Sequence, residues 1–570
     1  MKKRLLLALC ILFTTACDSP DYKKKKSEGI LYFNGDIITM EGEQPEYVEA
    51  LVAQGGKIVF TGKLKEAREN HPSAEQHNLN GSTMLPGFID AHGHGWITGF
   101  QMIWANLLPP PDGKTQSIDD LINTLKTWAA KNQELVEKVG YIIGIGYDDA
   151  QLKERRHPLA SELDRVSTDV PVFVLHQSYH LGAMNHKALE KEGYTADAPD
   201  PKGGVIRRMA DGKTPDGVLE ESASGNIRNK ISNTLDASIA DKIGLAGLEV
   251  YTRNGFTTMQ EGSANPQYME TWQRLAANGQ VSIDINVFPF LRKYADMMPA
   301  GGLRKNYDNH VRLAGVKLML DGSPQAKTAW LTLPYEVPPA GQSADYRGYP
   351  AFPDEEELVA LVDSSFINNW PILAHCNGDA AADQLIKVVK EATDRYGRKD
   401  RRTVMIHSQV LRDDQLDQMK ELDIIPSFFG IHTYYWGDWH RDEVLGKNRA
   451  YRISPAQSAF KKGMIFTEHH DAPVTPPSAT LILFAQVNRT SRSGDVIGPD
   501  ERVSPYIALK SVTQWAAYQY FEEEIKGTLT SGKLADLVIL NQNPLKINPA
   551  ELRDIVVLET IKEGQTVYKK

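Results

Sequence analysis

The chain has 570 residues, a formal net charge of −9 and a pI near 6.0. Hydrophobic residues make up 41% and charged residues 24%, which excludes a disordered, collagen-like or membrane-spanning body. The acidic balance argues against a nucleic-acid partner, because phosphate recognition needs a clustered excess of Lys and Arg.

The N-terminus reads as a targeting segment. Lys2, Lys3 and Arg4 form a basic start, and residues 5–13 are an apolar run too short to span a bilayer. Thr14-Thr15-Ala16-Cys17 then resembles a bacterial lipobox, so residues 1–17 are expected to be a lipoprotein-type signal with Cys17 as the lipidation site. The alternative is an ordinary cleaved signal with a chance cysteine. On the first reading the protein is exported and held in the cell envelope or periplasm, touching the membrane only through its lipid anchor. Of three cysteines, only Cys376 would then remain, so no intramolecular disulfide can form. Residues 18–27, with Lys23 to Lys26, are polar and pattern-free and read as a tether.

Strand–turn–strand patterns fill residues 28–85, around Asn34-Gly35 and Gly55-Gly56. Residues 521–570 carry further strand patterns, including Ala535-Asp536-Leu537-Val538-Ile539-Leu540. The two ends are expected to form one composite β-sandwich. Between them, residues 86–520 alternate short apolar strands with helical patterns, the signature of βα units. Strands are expected at 88–90, 257–260, 283–287, 315–320, 372–375, 404–407, 424–427 and 464–467. That series predicts an α/β fold, a (β/α)₈ TIM-like barrel. The stretch at about 105–245 is too long for one βα unit and reads as an insertion over the mouth of the barrel.

The chemistry-bearing residues fall at predicted strand ends. His92 and His94 are two apart on an extended segment, so both face one way and can share a metal. His375 and His407 each end a strand, and Asp471 follows the last one. Each alone is more often a satisfied structural residue; their convergence on one barrel face weakens that reading. Lys317 lies inside an apolar strand, where it must be paired, neutral, modified or snorkelling.

Pro86-Gly87-Phe88-Ile89-Asp90-Ala91-His92-Gly93-His94 resembles the amidohydrolase superfamily. Gly217-Val218-Leu219-Glu220-Glu221-Ser222-Ala223, the run from Lys317 through Asp321-Gly322-Ser323 to Thr328-Ala329, and His375-Cys376-Asn377-Gly378-Asp379 are similar to its amidohydrolase-3 branch, which includes N-substituted formamide deformylase-like proteins. The resemblance implies a divalent metal centre of one or two ions, with zinc expected. His92, His94 and Asp471 would bind the first ion, His375 and His407 the second, and Lys317, carboxylated, would bridge them. Glu261 is the alternative carboxylate ligand. Asp471 would move protons, and His180, in a segment similar to one that lines the family's substrate pocket, would stabilise the oxyanion. This chain departs from the common pattern at His469-His470, where Gly-Ser is frequent.

The function implied is hydrolysis of a C–N bond in a small amide-type substrate by a metal-bound hydroxide, with no nucleic-acid partner. Two alternatives stand beside it: an ester, lactone or cyclic imide hydrolase on the same site, and a non-catalytic ligand-binding lipoprotein. The aromatic groups Trp96, Phe100, Trp104 and Phe428, Phe429, Tyr434, Tyr435, Trp436, Trp439 either line a pocket or pack a lid. Nothing in the sequence fixes an oligomeric state.

Overall fold

The computed structural model describes residues 29–303, 305–339 and 341–570. The signal segment, the tether and Cys17 lie outside the described residues. Strands from both chain ends share one eight-stranded sheet. Its seam is Thr83–Pro86 against Leu537–Leu540, antiparallel, with Leu537 opposite Pro86. These strands are fully buried and apolar but for Thr83, as sheet-centre strands tend to be.

Thr83–Pro86 leads directly into the barrel. Eight strands follow in chain order: Phe88–Ile89, Phe256–Ala264, Asp284–Pro289, Val316–Met319, Ile372–Cys376, Val404–His407, Ile425–Phe428 and Thr467–Glu468. The first three pair in parallel, as do the last five. A parallel bridge between Phe290 and Lys317 joins the two groups. The ring closes where Asp471 N donates to His92 O and His94 N donates to Ala472 O. The fold is thus a TIM-like α/β barrel, with strand eight at 467–468 rather than earlier in the 464–467 run. Gly463 turns there with φ 71°, and the backbone pairs only after it.

At the N-terminal end, Ile89, Ala91, Leu373, Val404, Ile406 and Ile425 pack on Ala516, Ala517 and Tyr520. The helix Gln514–Gln519 and Tyr520 thereby seal that end, leaving the C-terminal strand ends for chemistry. Asp284, at the start of the third strand, accepts from Lys526 at 2.5 Å and Lys562 at 2.6 Å, a buried network that ties the barrel to the terminal sheet.

Between the first two barrel strands the chain builds a six-stranded sheet, from Ala105–Asn106 to Pro215–Glu221, and the helices Ser222–Asn233 and Ala237–Arg253. The last helix lies against Gly95–Ile103, directly after the histidine pair. Glycines permit that approach: a Cβ on Gly99 would strike the backbone of Ile243, and one on Gly247 the backbone of Gly95.

Candidate metal centre

His92 and His94 leave the first barrel strand side by side. Each ring is oriented by its far nitrogen. His92 Nδ1 is 2.5 Å from Gln260 Oε1, and His94 Nδ1 is 2.8 Å from the carbonyl of Gly262. Both partners are acceptors, since the Gln260 amide nitrogen donates to Ala91 O and to Tyr520. The ring protons therefore sit on Nδ1, and both Nε2 lone pairs point inward. They point at Asp471 Oδ1, 3.2 Å from His92 and 3.3 Å from His94.

That oxygen is buried and accepts no hydrogen bond. Burial, with Lys317 nearby, pushes His92 down to about 4, so it is neutral near pH 7. An anionic oxygen thus faces two nitrogen lone pairs with no proton between them. A cation reconciles that arrangement, and the donor set of imidazole and carboxylate is one that suits divalent transition metals.

On the opposite wall, His375 Nε2 lies 3.1 Å from the carbonyl of Gly322 and 3.1 Å from the amide nitrogen of Asn377. Its Nδ1 is left facing His407 Nε2 at 2.9 Å. Burial holds both rings well below the ordinary histidine range. Ligand atoms of His92, His407 and Asp471 all lie within 4.8 Å of one another, so the two pairs share one centre. His407 and Asp471 have φ of 74° and 51°, a conformation that β-strand ends rarely hold without support from their surroundings.

Lys317 reaches the same centre. Its Nζ is 2.9 Å from His92 Nε2. Burial pushes the ammonium down to about 7.

His180 joins from the insertion, its ring 6.0 Å from that of His375. Its Nδ1 lies 2.7 Å from Glu221 Oε2. Burial opposes its charge, yet Glu221 outweighs this and raises its pKa. Glu261 does not turn to the centre. One of its oxygens accepts from Trp96 N at 2.7 Å and from the Trp272 indole at 2.9 Å, and burial lifts its pKa to about 8.

His469 is the residue that motif reading left without a role. It is fully buried, with Nε2 3.1 Å from His407 Nδ1 and Nδ1 2.9 Å from Ser427 Oγ. Its neighbour His470 faces the other way, 3.3 Å from Asp90. Gly93 is explained by the same crowding, because a Cβ there would strike the Tyr251 hydroxyl and Asp90. The aromatic residues after strand seven pack rather than line. Trp436 is buried and its indole donates to Asp148 of the insertion at 2.9 Å, while the Tyr435 hydroxyl bonds Asp112.

Two other clusters of one histidine and two carboxylates occur among the described residues, Asp148, Asp149 and His176, and Asp284, His310 and Glu563. In one, His176 Nε2 lies 3.0 Å from Asp149. Burial opposes its charge, but Asp148 and Asp149 raise His176 to about 9, so the group is an ion pair and not a ligand set. In the other, Asp284 is already neutralised by Lys526 and Lys562.

A barrel whose C-terminal strand ends gather four histidines, an aspartate and a lysine around one point has the construction of a metal-dependent hydrolase. The family model described as "Amidohydrolase family" matches residues 75–568. The chain belongs to the amidohydrolase family. It is 26% identical to the protein YtcJ of Bacillus subtilis over 95% of this chain and 99% of that one. It is 24% identical to the N-substituted formamide deformylase of Arthrobacter pascens, covering 95% and 98% of the two chains. Its fold is similar to that of an uncharacterized metal-dependent hydrolase from Pyrococcus horikoshii, with a TM-score of 0.72, 24% identity, and 95% and 100% of the chains covered.

Proposed function

We propose that the protein hydrolyses the C–N bond of a small amide, with no role for nucleic acid. The observation that carries this is Asp471 Oδ1, which lies between the unprotonated nitrogens of His92 and His94 and accepts no hydrogen bond. His92, His94 and Asp471 would hold one zinc ion, and His375 through Nδ1 with His407 through Nε2 a second. A divalent ion held there acidifies a bound water and polarises the substrate carbonyl.

The remaining steps fall to side chains. Asp471 accepts the proton of the attacking water and delivers it to the leaving nitrogen, so that amide and water become carboxylic acid and amine. His180, charged while Glu221 holds its Nδ1 proton, presents Nε2–H to the carbonyl oxygen as negative charge develops there. Lys317, pushed down to about 7, has a large neutral fraction at physiological pH. A neutral amine attacks carbon dioxide, forming an N–C bond and releasing one proton. A carbamate on Lys317 would supply an anionic carboxylate to the ions that the histidines would hold.

The test is elemental mass spectrometry of metal per chain on protein purified without chelators, with hydrolysis assays on N-formyl and N-acyl amines. Two equivalents of zinc with turnover are expected. Protein that binds no metal even after zinc is added back would overturn the reading. Preparation with ¹³C-bicarbonate should add a carbamate resonance that Lys317→Arg lacks.

We also propose that the chain is exported and lipid-anchored through Cys17. The support is the sequence of residues 1–17. No helix among the described residues is long and apolar enough to cross a membrane.

A further inference from the structure

His180 reaches the metal centre at the tip of a hairpin. Strands Val172–His176 and Leu181–Met184 pair antiparallel, with Gly182 opposite Leu175, so residues 177–180 are the turn between them. The turn is tight: Tyr179 N donates to His176 O at 2.9 Å, and Tyr179 has φ 62°. The Ser178 hydroxyl accepts from His180 N at 3.2 Å. These bonds shape the turn, but none of them ties it to the barrel.

Gln177 makes that tie. Its side chain is buried, and Nε2 donates to the carbonyl of Val474 at 2.9 Å. A carbonyl can only accept, so the amide must present its nitrogen there. Val474 N in turn donates to Asp471 O at 2.9 Å. Val474 is thus bonded on one side to Asp471, which faces His92 and His94, and on the other to the turn that carries His180. Among the described residues, no other side-chain hydrogen bond from 177–180 reaches strand eight or its loop.

The base of the hairpin is held separately. His176 Nε2 lies 3.0 Å from Asp149 and 3.6 Å from Asp148, and Asp148 accepts from the Trp436 indole, after strand seven, at 2.9 Å. Gln177 N donates to Tyr147 O at 2.8 Å. Loss of the Gln177 side-chain bond would leave the strands paired and docked and release only the tip. A misplacement of about 1 Å can cost a reaction on the order of a hundredfold.

We infer that Gln177 is a positioning residue: it registers the His180 turn against the Asp471 loop, so that the oxyanion donor and the proton acceptor are held in one frame around the substrate carbonyl. This rests on the amide hydrolysis proposed above. Gln177 acts on the reaction only through His180.

The test is a double-mutant cycle on zinc-loaded protein, with hydrogen exchange as a readout independent of turnover. Gln177→Met keeps the length of the side chain and removes the donor. Gln177→Asn is too short to reach Val474 O and serves as the second variant. Each should lower kcat by about tenfold, with KM and zinc content unchanged. His180→Ala should lower kcat by about a hundredfold or more. Adding Gln177→Met to His180→Ala should lower it no further, because the group being positioned is gone. In both Gln177 variants the amides of Tyr179 and His180 should exchange about threefold to tenfold faster, as for one lost hydrogen bond, while those of the flanking strands keep their rates. A wild-type kcat or an unchanged exchange pattern in the variants, a fully active His180→Ala, a kcat loss that persists without His180, or loss of zinc would each overturn the inference. If the wild type hydrolyses neither N-formyl nor N-acyl amines, the amidase reading falls, and the exchange rates alone decide whether Gln177 anchors the turn.

Discussion

Glu221 holds His180 by a 2.7 Å contact between Oε2 and Nδ1, and does so from a backbone with φ 47° and ψ −117°. That conformation is unfavourable for any residue with a Cβ, and it persists because strand pairing on one side and the helix Ser222–Asn233 on the other fix it. The contact sets which His180 nitrogen is free. Glu221→Gln keeps the shape and removes the charge. It should lower kcat by about tenfold to a hundredfold, with KM changed far less, and shift the alkaline limb of the rate profile to lower pH. Steady-state kinetics across pH on a cleaved N-acyl amine checks this. An unmoved pH profile would assign Glu221 to structure alone.

Asp471 both binds and transfers in the proposed scheme, and the two roles separate in Asp471→Asn. The amide oxygen can still coordinate a cation, but it cannot take up the water's proton. Metal content should stay within about half of wild type, while kcat falls by about a thousandfold. Near-normal turnover in that variant would remove Asp471 from proton transfer.

Much of the barrel was legible because several strands are short apolar runs at the expected spacing, as in Val404-Met405-Ile406-His407. His92, His94, His375, His407, Asp471 and Lys317 were legible because they end or interrupt such runs. The orienting contacts were not. Gln260 reaches His92 from 168 residues away, and nothing local in Thr257-Thr258-Met259-Gln260-Glu261 says which of its two polar side chains turns inward. The alternation of a strand sends Gln260 to His92 and Glu261 to Trp96 and Trp272. Strand eight is placed by pairing and not by hydrophobicity, which is why its two residues, Thr467 and Glu468, are among the least apolar of the set.

His469 stands where related sequences often carry a small residue, and its ring locks His407 from behind. His469→Phe preserves bulk but removes the bond to His407 Nδ1. Loss of such an orienting contact weakens metal binding by about tenfold to a hundredfold. The weakening should fall on the second ion only, since His92 and His94 are oriented by Gln260 and Gly262. Zinc competition against a fluorescent chelator resolves the two affinities. Equal weakening of both ions would mean that His469 supports the whole strand.

Cys17→Ser removes the proposed lipid acceptor. Residues 5–13 are too short to span a bilayer, so membrane retention should depend on the thiol. Wild-type protein should take up a radioactive fatty acid and sediment with membranes. The variant should do neither. Label that persists in Cys17→Ser would place the anchor elsewhere or remove it.

Glu261 gives a pH dependence whose sign follows from its burial. Its folded pKa is raised from the ordinary carboxylate value to about 8, so between those limits the folded protein binds a proton that the unfolded chain has released. Stability therefore falls as pH rises through that window, by about 1.4 kcal/mol per pH unit at most. Glu261→Gln cannot ionise, and its oxygen can still accept from Trp96 and Trp272. Calorimetric melting of both proteins from acidic to mildly alkaline pH should show curves that diverge as pH rises, with the variant the more stable above neutrality. Parallel curves would mean that Glu261 is ionised in the folded state. It would then need a cation beside its buried, unpartnered Oε1.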